Sequence, residues 1–328
     1  MIALAVGLGA TVMAAVHHAE VIAHKVGEPY GTLVLALAIT ALEVALIVSL
    51  MIAGGEAAAS LARDTVFAAV MIILNGVTGL CLLAGGVRHR EQAFGLHGMS
   101  GALGVLATLA VLTLVLPNYT TSLPGPVYAS SQLAFIGVSS LVLYGAFVLV
   151  QTVRHRDYFL PPGTAAHDAG THAAPPTASA AWLSLAMLLV ALAAVVLMAK
   201  ALSPSVRAGL TAAGAPAAAV GVVIAGIVLL PEGVAAVRAA RANRLQTSLN
   251  LALGSALATI GLTIPVVAAV ALIAGWDLVL GLDVKSMVLL ALSLLVAALS
   301  LGTGRTTVLQ GVTHLVIFGV YLFTTLVP

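Results

Sequence analysis

The sequence predicts an all-α polytopic membrane protein of about ten transmembrane helices, built as two inverted five-helix repeats. The first observation is composition. The chain has 328 residues, of which 61% are hydrophobic and 7% charged, with a mean hydropathy of +1.17, whereas a soluble domain carries about 25% charged residues. A soluble fold of this length would have to hide more apolar surface than one core can hold. The second is segmentation into ten apolar runs, most of them near the roughly 20 residues that cross the hydrocarbon. In lipid every backbone polar group must be satisfied within its own segment, so such runs are helices. The third is a single long connection, 153–180, that divides the runs five and five. Five crossings are odd, so the second half must thread the membrane in the opposite sense, and related halves then form an inverted repeat.

The runs fall at 1–17, 30–53, 64–86, 98–117, 128–152, 181–201, 217–238, 246–274, 284–302 and 306–327. The first looks like the apolar core of a signal peptide but lacks a basic start and is followed by His17, His18 and Glu20, so it reads as a span. His17, Glu20 and His24 share a helical face. They could bind a metal or sense pH, but an amphipathic continuation of the first helix at the cytoplasmic surface is the expected reading. The second run carries Glu43 near its middle, with Thr40 and Thr32 on the same face. The third carries Asn75 and Thr78, and its Gly76 and Gly79 suit close helix contact. Arg88, Arg90 and Glu91 read as a solvated loop end, and the lone Cys81 cannot form an intramolecular disulfide.

The connection 153–180 holds Arg154, His155, Arg156, Asp157, Pro161, Pro162, His167, His172, Pro175 and Pro176, and reads as a flexible linker. It separates a first repeat, 1–152, from a second, 181–328. The seventh run places Glu232 directly after Pro231, with Gly226 and Gly233 on either side. Proline removes a backbone donor, so this span is expected to be a broken helix whose freed carbonyls lie beside a carboxylate. The eighth run carries Ser255, Thr259 and Thr263. In the tenth, Thr307, Gln310 and His314 share a face, and His314 is either a proton relay or a satisfied packing residue.

Lys and Arg set the orientation. The odd-numbered loops hold nine of the 13 and the even-numbered loops four. The odd loops and the linker are therefore expected in the cytoplasm and both termini outside, in a cell inner membrane.

Glu43 and Glu232 are the costly residues. An ionised carboxylate at the bilayer centre costs about 2.5–3.5 kcal/mol even on lenient scales. Both lie in the second span of their half, and the next span in each half carries a polar stripe. Hard cations take oxygen ligands, and Glu43, Glu232, Thr40, Asn75, Ser255 and Thr259 could supply that set. Two carboxylates facing one another in a low dielectric cannot both stay ionised without a counter-charge. Protons and a cation would then compete for one site, which gives exchange if only the loaded forms switch faces.

The stretches His18–Met51 and Ala62–Gln92 resemble the first repeat of bacterial calcium/proton and sodium-potassium/proton antiporters of the calcium/cation antiporter superfamily. Leu229–Val267 resembles the second repeat, and Gly302–Arg305 fits its last part. The resemblance covers nearly the whole chain except the linker. It implies that Glu43 and Glu232 bind the cation and take part in proton exchange. Gly254 and Ser255 keep the start of a Gly-Ser-x-x-x-Asn stretch in the second repeat, with Thr259 at the Asn position. Asn75 keeps its end in the first, where Val70 and Met71 replace the Gly-Ser. An acidic segment between the halves, frequent in the family, is missing; the linker has only Asp157 and Asp168.

The expected activity is thus Ca2+/H+ exchange, with Na+/H+ or K+/H+ exchange on the same fold as the alternative and a cation channel behind both. No cofactor or structural metal is expected. The chain shows no nucleophile–base pair, metal motif or nucleotide loop that would make it an enzyme. A net charge of +2 without a basic block gives no footing for nucleic acid. The expected partners are inorganic cations, protons and the lipid bilayer.

Overall fold

The computed structural model describes residues 2–27, 30–54, 59–160, 176–212, 216 and 218–327. Ten long helices follow in order: α1 Ile2–Val26, α2 Tyr30–Gly54, α3 Leu61–His89, α4 Leu96–Tyr119, α5 Ser130–Arg154, α6 Ala178–Ala212, α7 Ala218–Arg241, α8 Leu245–Ala274, α9 Val284–Leu301 and α10 Val308–Leu326. Among the described residues nine helices are long and apolar enough to cross a membrane, and α2 adds the shorter apolar stretch Leu37–Ile52. Each of the ten predicted runs is therefore helical among the described residues, nine of them at span length.

Several boundaries move. α1 continues to Val26, so His17, Glu20 and His24 lie on its last turns, as the amphipathic reading expected. α6 runs well past its predicted end, to Ala212. The first part of the linker is not loose. α5 extends to Arg154, Arg156–Phe159 forms a short 3-10 turn, and Phe159 is buried with its ring edge-on to Phe147. Asn250 Nδ2 donates to the Phe159 carbonyl at 2.6 Å, and the Tyr158 ring stacks on His155 at 4.8 Å. The buried Phe159 ring gives this polar stretch an apolar anchor that its charged neighbours hide in sequence. Pro161, Pro162, His167, Asp168, His172 and Pro175 lie outside the described residues, as does the side chain of Thr32.

α3 and α8 are the most buried spans and form the centre. α3 packs against α7 and α10, and α8 against α2 and α5, so each central helix touches both repeats. α1 lies along α6. Missing side chains bring α3 and α10 together: a Cβ on Gly76 would sit 3.2 Å from the Phe318 ring, and one on Gly311 would sit 2.5 Å from Leu83 N.

The connections carry the inverted relationship. On one face β1 (Gln92–Ala93), after α3, pairs antiparallel with β2 (Arg305–Thr306), before α10. On the other, Val127, before α5, bridges Val279, after α8. Exchange of the two halves converts one pairing into the other. α5 and α10 also begin alike: Gln132 Oε1 accepts from Ala129 N at 3.0 Å and Gln310 Oε1 from Thr307 N at 2.9 Å. Gln310 thus closes the start of α10 rather than serving His314.

The predicted break at Pro231 is absent, because α7 is one helix from Ala218 to Arg241 with Pro231 inside it. One missing N–H and a ring beside the preceding turn can be absorbed when neighbouring helices hold the rest of the ladder. Irregular backbone lies one helix further on in each half, and π-helical turns also occur in α4 at Val111–Val115 and at the end of α5 at Val150–Arg154. α3 has a π-helical turn at Ile72–Val77 and α8 one at Thr259–Thr263. Such turns widen the helix by one residue and cluster at functional sites.

Candidate functional site

Glu43 is only 2% exposed at the middle of α2, and Thr40, one turn earlier, is also buried. The Glu43 Oε2 accepts a hydrogen bond from Thr259 Oγ1 at 2.8 Å. Glu232, on α7, is half-buried and its Oε2 accepts from Ser255 Oγ. Ser255 and Thr259 are four residues apart on α8, so their hydroxyls stand on one face a turn apart. One face of α8 therefore holds a carboxylate from each repeat.

The local sequence explains each placement. α2 is otherwise Leu, Ala, Val and Ile, so its single polar stripe turns inward. Gly233 lets α7 approach α3, where a Cβ would come 3.3 Å from Val77. Gly221, a few turns earlier, closes on the backbone of Asp64 and Thr65. Thr259 opens the π-turn of α8.

Among the described residues Glu43 Oε1 is buried without a hydrogen-bond partner. A bare carboxylate oxygen in an apolar interior is costly, and a proton or a cation on Oε1 removes that cost. The oxygens converging here belong to carboxylates and hydroxyls, which suit a hard cation.

Asn75, another predicted site residue, makes its hydrogen bonds to α9 and α10 rather than to either glutamate. Its Nδ2 donates to Ser293 Oγ on α9 at 2.8 Å, and its Oδ1 faces His314 Nδ1 on α10 at 3.3 Å. Both side chains are fully buried. Thr78 turns back on its own helix and donates to the Ile73 carbonyl at 2.9 Å, inside the π-turn. Thr263 is buried, and its hydroxyl has no hydrogen-bond partner among the described residues. Ser293 is the residue that sequence reasoning missed. A lone serine in an apolar helix is ordinary packing material, and only the neighbouring Asn75 distinguishes it.

The sodium/calcium exchanger protein family matches residues 1–153 and 183–327. The putative ionic transporter y4hA of Sinorhizobium fredii is 54% identical over 98% of this chain and 87% of its own length. The sodium-potassium/proton antiporter ChaA of Escherichia coli is 37% identical over 97% of this chain and 86% of its own. Among solved structures, native YfkE superposes with a TM-score of 0.77 at 18% identity, over 99% of this chain and 91% of that one. With the family matching both halves and the fold shared with a solved relative, the chain belongs to the sodium/calcium exchanger protein family of membrane transporters.

Proposed function

We propose that the chain is a cation/proton antiporter that exchanges Ca2+ for H+ across the inner membrane, with Glu43 and Glu232 binding cation and protons in turn. The observation that carries this reading is the meeting of both glutamates on one face of α8, through Thr259 and Ser255. A divalent cation matches two carboxylates in charge, and hydroxyls complete an oxygen set. Thr40 lines the same region. When the cation leaves, protons neutralise the pair, since two bare carboxylates cannot remain ionised together in a low dielectric. Two glutamates support exchange of one divalent ion for two or more protons. A flux ratio below one proton per cation would exclude that stoichiometry.

A second reading, Na+/H+ or K+/H+ exchange at the same residues, is favoured by the 37% identity to a sodium-potassium/proton antiporter. A channel would share the lining but move cations without moving protons. Residues 1–152 and 181–328 act as the two repeats, with 153–180 on the cytoplasmic side and both termini outside. Thiol-accessibility mapping that found the linker outside would overturn this orientation.

The test is cation-dependent proton flux in everted vesicles, with Ca2+, Na+ and K+ compared. Glu43→Gln and Glu232→Gln are each expected to abolish coupled exchange. Either variant exchanging at the native rate would refute the two-glutamate site.

A further inference from the structure

The two repeats differ at matched positions of their central helices. Thr259 and Asn75 lie in the π-turns of the two central helices. Thr259 reaches the glutamate of the opposite repeat, Glu43. Inverted symmetry would send Asn75 to Glu232, yet its carboxamide is turned to Ser293 and His314. The hydrogen-bond roles there follow from one another. Ser293 Oγ donates its hydrogen to the Leu289 carbonyl at 2.7 Å, so toward Asn75 it accepts. The amide nitrogen therefore faces Ser293 and the amide oxygen faces the imidazole, whose Nδ1 must carry the hydrogen. Asn75, Ser293 and His314 are all fully buried, where an amide that lost these partners would have to find others.

The substitution pattern fits. Ser255 holds Glu232, while its counterpart on α3, Met71, offers only a sulfur, 3.8 Å from Asn75 Nδ2 and 3.5 Å from Ser293 Oγ. Asn75 has accordingly acquired two partners, on α9 and α10, that Thr259 lacks. In inverted-repeat transporters one repeat rocks or gates against the other around a site near the midplane, so side chains at the repeat interface can change partners between access states.

We propose that Ser293 and His314 are positioning residues that park the Asn75 carboxamide away from Glu232, and that Asn75 transfers to Glu232 when the transporter switches faces. The proposal rests on the two-glutamate reading above. Freed from Ser293, the amide N–H bonds the Glu232 carboxylate and competes there with the cation.

The experiment is a double-mutant cycle on Ca2+-dependent proton flux, with K+ run alongside. Ser293→Ala is nearly isosteric. It is expected to raise the apparent KM for the cation roughly two- to tenfold, the strength of one neutral hydrogen bond. In an Asn75→Ala background it should change nothing further, because Ser293 acts through Asn75. Ser293→Thr, which keeps the hydroxyl, should restore the native KM. His314→Ala paired with Asn75→Ala provides a second cycle with the same expected non-additivity, should Ser293→Ala fold poorly. An unchanged or lowered KM in Ser293→Ala, or effects that add to those of Asn75→Ala, would overturn the proposal. Glu43→Gln and Glu232→Gln separate the two failures. If both lose exchange while the cycles are additive, only the parking of Asn75 is wrong. If either exchanges normally, the two-glutamate reading itself fails.

Discussion

Thr259→Ala removes the hydroxyl that donates to Glu43 at 2.8 Å. The other carboxylate oxygen, Oε1, has no hydrogen-bond partner among the described residues, and Glu43 is 2% exposed. Water therefore cannot replace the lost donor. A hydrogen bond to a charged group contributes about 1.5–3 kcal/mol, which corresponds to roughly a 10- to 150-fold loss of exchange at limiting cation concentration. Ser255→Ala removes the corresponding donor from Glu232. As a residue Glu232 is less buried than Glu43, so its loss is expected to be the smaller of the two. The loss should fall near that of a neutral bond, about 0.5–1.5 kcal/mol, or roughly two- to tenfold. The assay is cation-dependent proton flux in everted vesicles, normalised to the amount of folded protein in the membrane. Thr259→Ser keeps the hydroxyl and should retain most of the native rate. The reasoning fails if Ser255→Ala is as damaging as Thr259→Ala, or if Thr259→Ser is as damaging as the alanine.

Three further outcomes concern stability. Pro231→Ala restores a backbone donor within the continuous helix α7 and relieves the ring at the preceding turn; the Tm in detergent should rise, and a fall would mean that Pro231 meets a local demand of its own. Gly311→Ala drives a Cβ against Leu83 N at 2.5 Å, whereas a Cβ at Gly319 on the same helix has nothing within 4 Å; thermal unfolding should show a loss of about 1–3 kcal/mol for the first and little change for Gly319→Ala. Asp283 caps α9 by accepting from Ser286 N at 2.8 Å, so Asp283→Ala should cost about 1 kcal/mol. Burial favours the neutral form of this acid, but hydrogen bonds from Ser286 and the charges of Lys285 and Arg63 outweigh it and hold the carboxyl below its usual range. The cap's ionic contribution is then present above the ordinary carboxylate pKa and lost as pH falls through the lowered folded value. The Tm difference between native and variant should shrink in that acid window, and a difference independent of pH there would contradict the sign.

The broad architecture was readable because lipid makes few structures possible. Apolar runs of span length must be helices, and an odd number per half inverts the second. Glu43 and Glu232 stood out for the same reason, since a carboxylate in a span is costly enough to be conspicuous. The glycines at 76 and 79 also announced their role, because only a residue without a side chain permits the approach of α10 seen there. The linker misled where Phe159 anchors a stretch that local charge marks as solvated. Pro231 misled because a proline predicts a break only if its neighbours leave the helix unsupported.

The sequence alone determined the solvent, the number of crossings, the pairing of halves and the two acidic residues, all of which depend on local composition and its cost in lipid. Only the tertiary structure decided which hydroxyl meets which carboxylate. Thr259 crosses to the opposite repeat while Asn75, at the matching place, turns to Ser293 and His314. Those choices depend on the rotation and height of each helix against its neighbours. Close-packed glycine faces and π-turns set these over tens of residues, and no short stretch of sequence records them.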